Sequence, residues 1–156
     1  MAAPTDTPAP AMTPSALIDN LCWLLARASQ VLSAELTGAL AGLGLAPRDH
    51  VVLLAAESGA YSQTEIARMV GLDKTTMVVT MDELEAAGLA ERRPSPTDRR
   101  ARVIVVSKKG TRLLRKADAI LGAIRGDVLA ALPADQRDGF VDALRGLVSD
   151  RLSGAR

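Results

Sequence analysis

Ten basic residues lie between Glu91 and Lys116: Arg92, Arg93, Arg99, Arg100, Arg102, Lys108, Lys109, Arg112, Arg115 and Lys116. Only Glu91 and Asp98 oppose them, so the window carries +8 while the whole chain carries +1, which leaves −7 for the rest. A local field of that size attracts a polyanion even when the total charge is near neutral. The same count also suits the solvated start of a basic helix, and charge alone leaves both readings open. A second group has a different chemistry. Lys74, Thr75, Thr76, Val78 and Val79 stand close together, a few residues after Ser62, Gln63 and Thr64. Their hydroxyls and amides can hydrogen-bond base edges or phosphates, and their methyl groups can meet the methyl of thymine.

Turn and cap signals divide the chain into elements that must position these groups. Leu17, Leu21, Leu24, Ala28 and Val31 mark one face of a first helix, with Thr13 or Ser15 as its cap, and Gly42 and Gly44 end it. Pro47 opens a second helix carrying Val51, Val52, Leu53 and Leu54, and Gly59 breaks it. Ser62 and Glu65 form a capping box for a short third helix with Ile66, Ala67, Met69 and Val70. Gly71-Leu72 is a turn, and Asp73 caps a fourth helix that runs to about Ala87 before Gly88. The period then changes. Leu89 to Arg93 and Arg102 to Val106 predict two strands around the turn-rich Pro94-Ser95-Pro96-Thr97-Asp98. Ser107 caps a long helix with a stripe from Leu113 to Leu132, and Pro133 begins a last helix in which Phe140 is expected in the core.

The stretch from Gln63 to Met77 has the spacing of a helix-turn-helix. Ala67 is small where two helices must approach, and Gly71 sits where the turn needs a positive φ. Met77 and Leu84 point inward from the fourth helix, which leaves Lys74, Thr75, Thr76, Val78 and Val79 on the face that a major groove would receive. The hairpin that follows reads as a wing, with Arg99, Arg100 and Arg102 able to reach phosphates or a narrow minor groove. Asp98 can hold one of these arginines in place through charge-assisted hydrogen bonds. The predicted DNA-binding set is Ser62, Gln63, Thr64, Lys74, Thr75, Thr76, Val79, Arg92, Asp98, Arg99, Arg100 and Arg102. No Gly-rich phosphate loop, nucleophile elbow or histidine pair is present, and Glu83 and Glu85 face different ways on one helix. An enzyme is not expected, nor any catalytic residue.

These motifs resemble the MarR (multiple antibiotic resistance regulator) family over roughly Leu17 to Leu152. The closest likeness is Asp98-Arg99-Arg100-Ala101-Arg102 through Ser107-Lys108-Lys109-Gly110, which is similar to the family's wing signature, with Val106 and Ser107 where Leu and Thr are usual. Asp82-Glu83-Leu84-Glu85-Ala86-Ala87-Gly88-Leu89 resembles the end of its recognition helix. The resemblance implies a homodimer whose first and last helices interlock, with Arg100 in the minor groove steadied by Asp98. It also implies a repressor of nearby genes that releases a pseudo-palindromic duplex when a small phenolic or other aromatic effector, or an oxidant, acts. Long apolar stripes at both ends of a chain this small likewise call for partner surface.

The expected fold class is α+β, mostly α: a winged helix-turn-helix lobe with a helical dimerisation region built from the first and last helices. Residues 1–14, with Pro4, Pro8, Pro10 and Pro14, read as a disordered tail; 15–46 and 108–156 as the dimerisation region; and 47–107 as the lobe. The lone cysteine, Cys22, excludes an internal disulfide and a multi-cysteine metal site. It resembles the sensing cysteine of the family's hydroperoxide-responsive branch. Leu36 and Pro47 stand where that branch has tyrosines, however, and a thiol without donors keeps a high pKa. A packed small hydrophobe is therefore the favoured reading, and a redox-sensing repressor is the alternative. A winged-helix protein-interaction module is a further rival, one with no need of the +8 window. His50 and Trp23 are weighed as effector contacts against packing. No metal and no cofactor are predicted. No apolar run approaches the roughly 20 residues that span a bilayer, and a cytoplasmic protein is expected.

Overall fold

The structure, a computed structural model, describes residues 14–96 and 101–152. The expected tail, 1–14, lies outside the described residues apart from Pro14. A single turn, α1 (Ser15–Ile18), precedes α2 (Leu21–Ala41). The sequence predicts one continuous helix here, but the chain breaks at Asp19-Asn20. Asn20 adopts an extended conformation and its side-chain oxygen accepts the Trp23 N–H at 2.9 Å, so Asn20, and neither Thr13 nor Ser15, caps the long helix. An asparagine that satisfies an orphan N–H outside the helix outcompetes continuation through it.

The lobe follows. α3 (Pro47–Glu57) starts on its proline, with Asp49 accepting the Ala46 N–H at 3.0 Å. Of its four central apolar residues only Val52 and Leu53 are buried, while Val51 and Leu54 face outward. α4 (Gln63–Val70) is capped by Ser62, whose hydroxyl accepts the Glu65 N–H while Glu65 accepts the Ser62 N–H. Gly71, at φ 72°, makes the turn into α5 (Lys74–Ala86), which Asp73 caps through the Thr76 N–H. The left-handed φ is available to glycine at little cost, so the tight turn forms where the sequence places it.

β1 (Ala90–Pro94) and β2 (Arg102–Val106) pair antiparallel, with Ala90 opposite Val106 and Pro94 opposite Arg102. A third piece of chain joins this hairpin. Ser62 forms a bridge to Val103, and the Ile104 N–H donates to the Tyr61 carbonyl at 3.0 Å, so the wing is tied to the start of α4. α6 (Lys108–Ala130) is capped by Ser107, which also donates to the Gly88 carbonyl at 2.7 Å. Gly110 lies so close to β1 that a Cβ would stand 2.2 Å from the Leu89 carbonyl oxygen. That contact is the physical reason for a glycine there. A 3-10 turn, Ala134–Gln136, leads into α7 (Arg137–Gly146).

The core gathers Leu40 and Leu45 around α3, α4 and α5, with Leu89, Ile104, Leu114 and Ala117 closing it. α7 buries none of its residues, and Phe140, expected in the core, is 44% exposed. The exposure has a simple cause: α7 rests mainly on the short helical turns that flank it, and among the described residues no second layer covers its apolar side. Leu21, Leu24, Leu25 and Val31 of α2 are exposed in the same way.

Candidate nucleic-acid interface

α5 divides cleanly by face. Met77, Thr80, Met81 and Leu84 are buried and fix the helix against the core. Lys74, Thr75, Val78 and Val79 are exposed along its first two turns. Thr76 lies between the two sets. Its hydroxyl donates to Asp73 at 2.6 Å, so its proton is already engaged while its oxygen can still accept. Thr76 holds the Asp73 carboxyl below its ordinary pKa, first through the hydroxyl and then through the backbone N–H. Glu65 is lowered likewise by the Ser62 N–H and then the Ser62 hydroxyl. Both carboxylates are therefore charged anchors of helix starts, placed where each N-terminus favours negative charge.

An open cleft of about 540 Å³ separates the exposed faces of α4 and α5, lined by Gln63, Thr64, Arg68, Leu72, Lys74 and Met77. Thr64 is exposed at its edge, and Ser62 is engaged in its capping box. Arg68 and Lys74 bring two cations to this cleft, and Arg68 was not among the predicted contacts. Its signal was present: on α4 it follows Thr64 by one helical turn and so shares its face.

The structure does not treat the basic residues of the wing alike. Arg102 is exposed at the start of β2. Asp98, Arg99 and Arg100 lie outside the described residues. Arg92 is turned inward: its guanidinium meets Asp82 and Glu85 of α5 and Gln63 of α4. Glu83, the third acidic residue of that stretch, pairs with Arg48 of α3 at 2.7 Å. The sequence separates Glu85 from Arg92 by a helix end and a turn, so no spacing rule announces the pair.

His50 is 7% exposed, between α3 and α6, with Nε2 3.4 Å from an Asp118 carboxylate oxygen. Trp23 is half-buried on α2, and Cys22 beside it is exposed. A packed role for Cys22 thus finds no cover within the single chain. Among the described residues no group of His, Cys, Asp and Glu is placed to hold a metal ion, and no helix is long and apolar enough to cross a membrane.

Comparison with known proteins follows the same outline. The model of the MarR family matches residues 43–101, from the loop before α3 to the residue before β2. The HTH-type transcriptional repressor Rv2887 of Mycobacterium tuberculosis is 33% identical over 131 residues, which cover 83% of this chain and 94% of the relative. CouR from Rhodococcus jostii RHA1, solved bound to p-coumaroyl-CoA, superposes with a TM-score of 0.78 at 31% identity over 88% of this chain and 97% of its own. CouR bound to a 23-mer DNA duplex gives 0.78 at 28% identity over 89% and 99%. Helix-turn-helix, hairpin and long flanking helices all fall within these matches, and the chain belongs to the MarR family of winged helix-turn-helix transcriptional regulators.

Proposed function

We propose that this protein is a homodimeric repressor that recognises a pseudo-palindromic DNA duplex and leaves it when a small aromatic ligand binds. The observation that carries the reading is the two-faced α5, whose buried side is locked in the core while Lys74, Thr75, Val78 and Val79 stand free in its first turns. That end of a recognition helix reads base edges in a major groove. Arg102 and the wing residues Arg99 and Arg100 supply phosphate and minor-groove contacts, with Asp98 orienting Arg100. Residues 47–107 form the reading lobe, and 15–46 with 108–156 form the dimerisation region. The duplex and the coumaroyl thioester held by CouR support both a DNA partner and an aromatic effector. Trp23 and His50 are the candidate effector contacts.

Selection of duplexes from a random pool tests the reading directly. The expected product is an inverted repeat with half-sites about one helical turn apart, the geometry of a two-fold dimer on B-DNA. Enrichment of no motif, or of a single unrepeated half-site, would count against it. Adding aromatic acids and their coenzyme A thioesters to the selected complex then identifies the effector class by release.

A further inference from the structure

We propose that Arg92 is a positioning residue that fixes the wing against the recognition helix and makes no contact with DNA. Each nitrogen of its guanidinium has an acceptor on another element. Nε donates to Gln63 Oε1 at 2.9 Å, Nη2 to Asp82 Oδ1 at 2.9 Å, and Nη1 to Glu85 Oε2. Its backbone N–H donates to the other Glu85 oxygen at 2.7 Å, so one carboxylate grips both the strand and the side chain. One residue of β1 thereby joins the N-terminus of α4 to the C-terminal half of α5.

The strand's alternation sets the direction. Ala90 is buried and Glu91 and Arg93 are exposed, so Arg92 shares the inward side with Ala90 and lies opposite the buried Ile104. Its side chain is only 22% exposed. Electrostatics point the same way. Asp82 and Glu85 outweigh the one arginine, so the cluster carries a net charge of −1 and repels a phosphate. The planar fork suits this work, because it presents several donors in fixed directions where a lysine presents a point charge. The other described basic residues of the hairpin differ: Arg102 is exposed, and Arg93 pairs with its near neighbour Glu91.

The inference rests on the DNA-binding reading, and its test separates the two. Binding of the full-length protein to a duplex from the random-pool selection is measured over a range of salt for wild type, Arg92→Ala, Arg92→Lys and the double variant Asp82→Asn/Glu85→Gln. Loss of the charge-assisted bonds should weaken binding about tenfold in both arginine variants, with the slope of log K against log salt unchanged. The double variant, although it removes two negative charges, should also bind more weakly. A phosphate contact predicts the opposite on each count: Arg92→Lys binds like wild type, Arg92→Ala has a salt slope shallower by about one, and the double variant binds more tightly. That pattern overturns the proposal. Hydrogen exchange of the free proteins provides the arm that needs no DNA. The β1–β2 amides should exchange about tenfold faster in Arg92→Ala, and in Glu85→Gln should the first fail to fold. Unchanged exchange overturns the clamp, whereas failure of wild type to select any duplex overturns only the DNA-binding reading.

Discussion

The lobe from α3 to β2 and the helices at the two ends of the chain obey different rules. In the lobe every helix start has a side-chain cap or a proline, and Val52, Leu53, Ile66 and Met81 are fully buried. At the ends, α2 buries only Leu40 near its C-terminus, and α7 buries nothing. Leu21 is 63% exposed and Val148 62%, values that a finished core does not tolerate on this scale. The lobe is complete within one chain, whereas the ends leave their apolar side chains uncovered, the surface that a second copy covers in the dimer proposed above.

The sharpest way to break the lobe is at its tightest contact. Gly110→Ala sets a Cβ against the Leu89 carbonyl and Val106, and neither backbone nor strand can yield cheaply. A loss of about 3 kcal/mol in unfolding free energy is expected by chemical denaturation, since overpacking at rigid backbone is among the costlier substitutions. A wild-type midpoint would mean that α6 docks on β1 less closely than described.

The ends should respond in assembly while the lobe stays intact. Leu24→Asp puts a charge on the exposed stripe of α2 and should weaken dimerisation by roughly 2 kcal/mol or more per subunit. Light scattering at micromolar concentration should then report a monomer, while hydrogen exchange in α3, α4 and α5 stays at its wild-type rate. An unchanged mass would remove the stripe from the interface.

A smaller gain is expected inside α5. The Thr80 hydroxyl is fully buried and has no hydrogen-bond partner among the described residues. Thr80→Val removes that orphan at nearly constant shape and should raise stability by about 1 kcal/mol. A drop of that size would reveal a hidden partner for the hydroxyl.

The smallest effect concerns pH. Because Asp73 is held below its ordinary pKa in the folded protein, its contribution is complete above the unfolded value. It fades as pH falls through the folded one, below about pH 4. Asp73→Asn keeps the cap but cannot titrate, so its stability should fall less steeply than wild type over that acid range in a thermal melt. Parallel curves would assign the acid limb to other carboxylates, Glu65 first.

Much of the lobe was legible because its determinants are local. Ser62 with Glu65, Asp73 and Ser107 cap the helices that the sequence assigns them, and Gly71 and Gly88 take the left-handed φ at the predicted ends. These are interactions across three or four residues, and sequence spacing encodes them. What escaped was tertiary. Arg92 reads as one more cation in a basic run until the hairpin folds it onto Asp82 and Glu85. Phe140 reads as core because an apolar stripe states that a surface must be covered, without saying by which chain. The break at Asn20 was local yet missed, because the leucine stripe runs on through it and hides the cap.

The two bonds at the start of α6 give the molecule a lever. Ser107 donates to the Gly88 carbonyl and Lys109 to that of Ala87, so two hydrogen bonds tie the residues that end α5 to the start of α6. From that pivot α6 runs 23 residues towards the chain's end. At 1.5 Å per residue its length is roughly 35 Å, and a tilt of about 5° at the far end amounts to a shift of about 3 Å. In the proposed dimer, two such levers would convert a modest rearrangement among the terminal helices into a change in the spacing of the recognition helices. A duplex with a fixed repeat of about 34 Å would register that change as misfit.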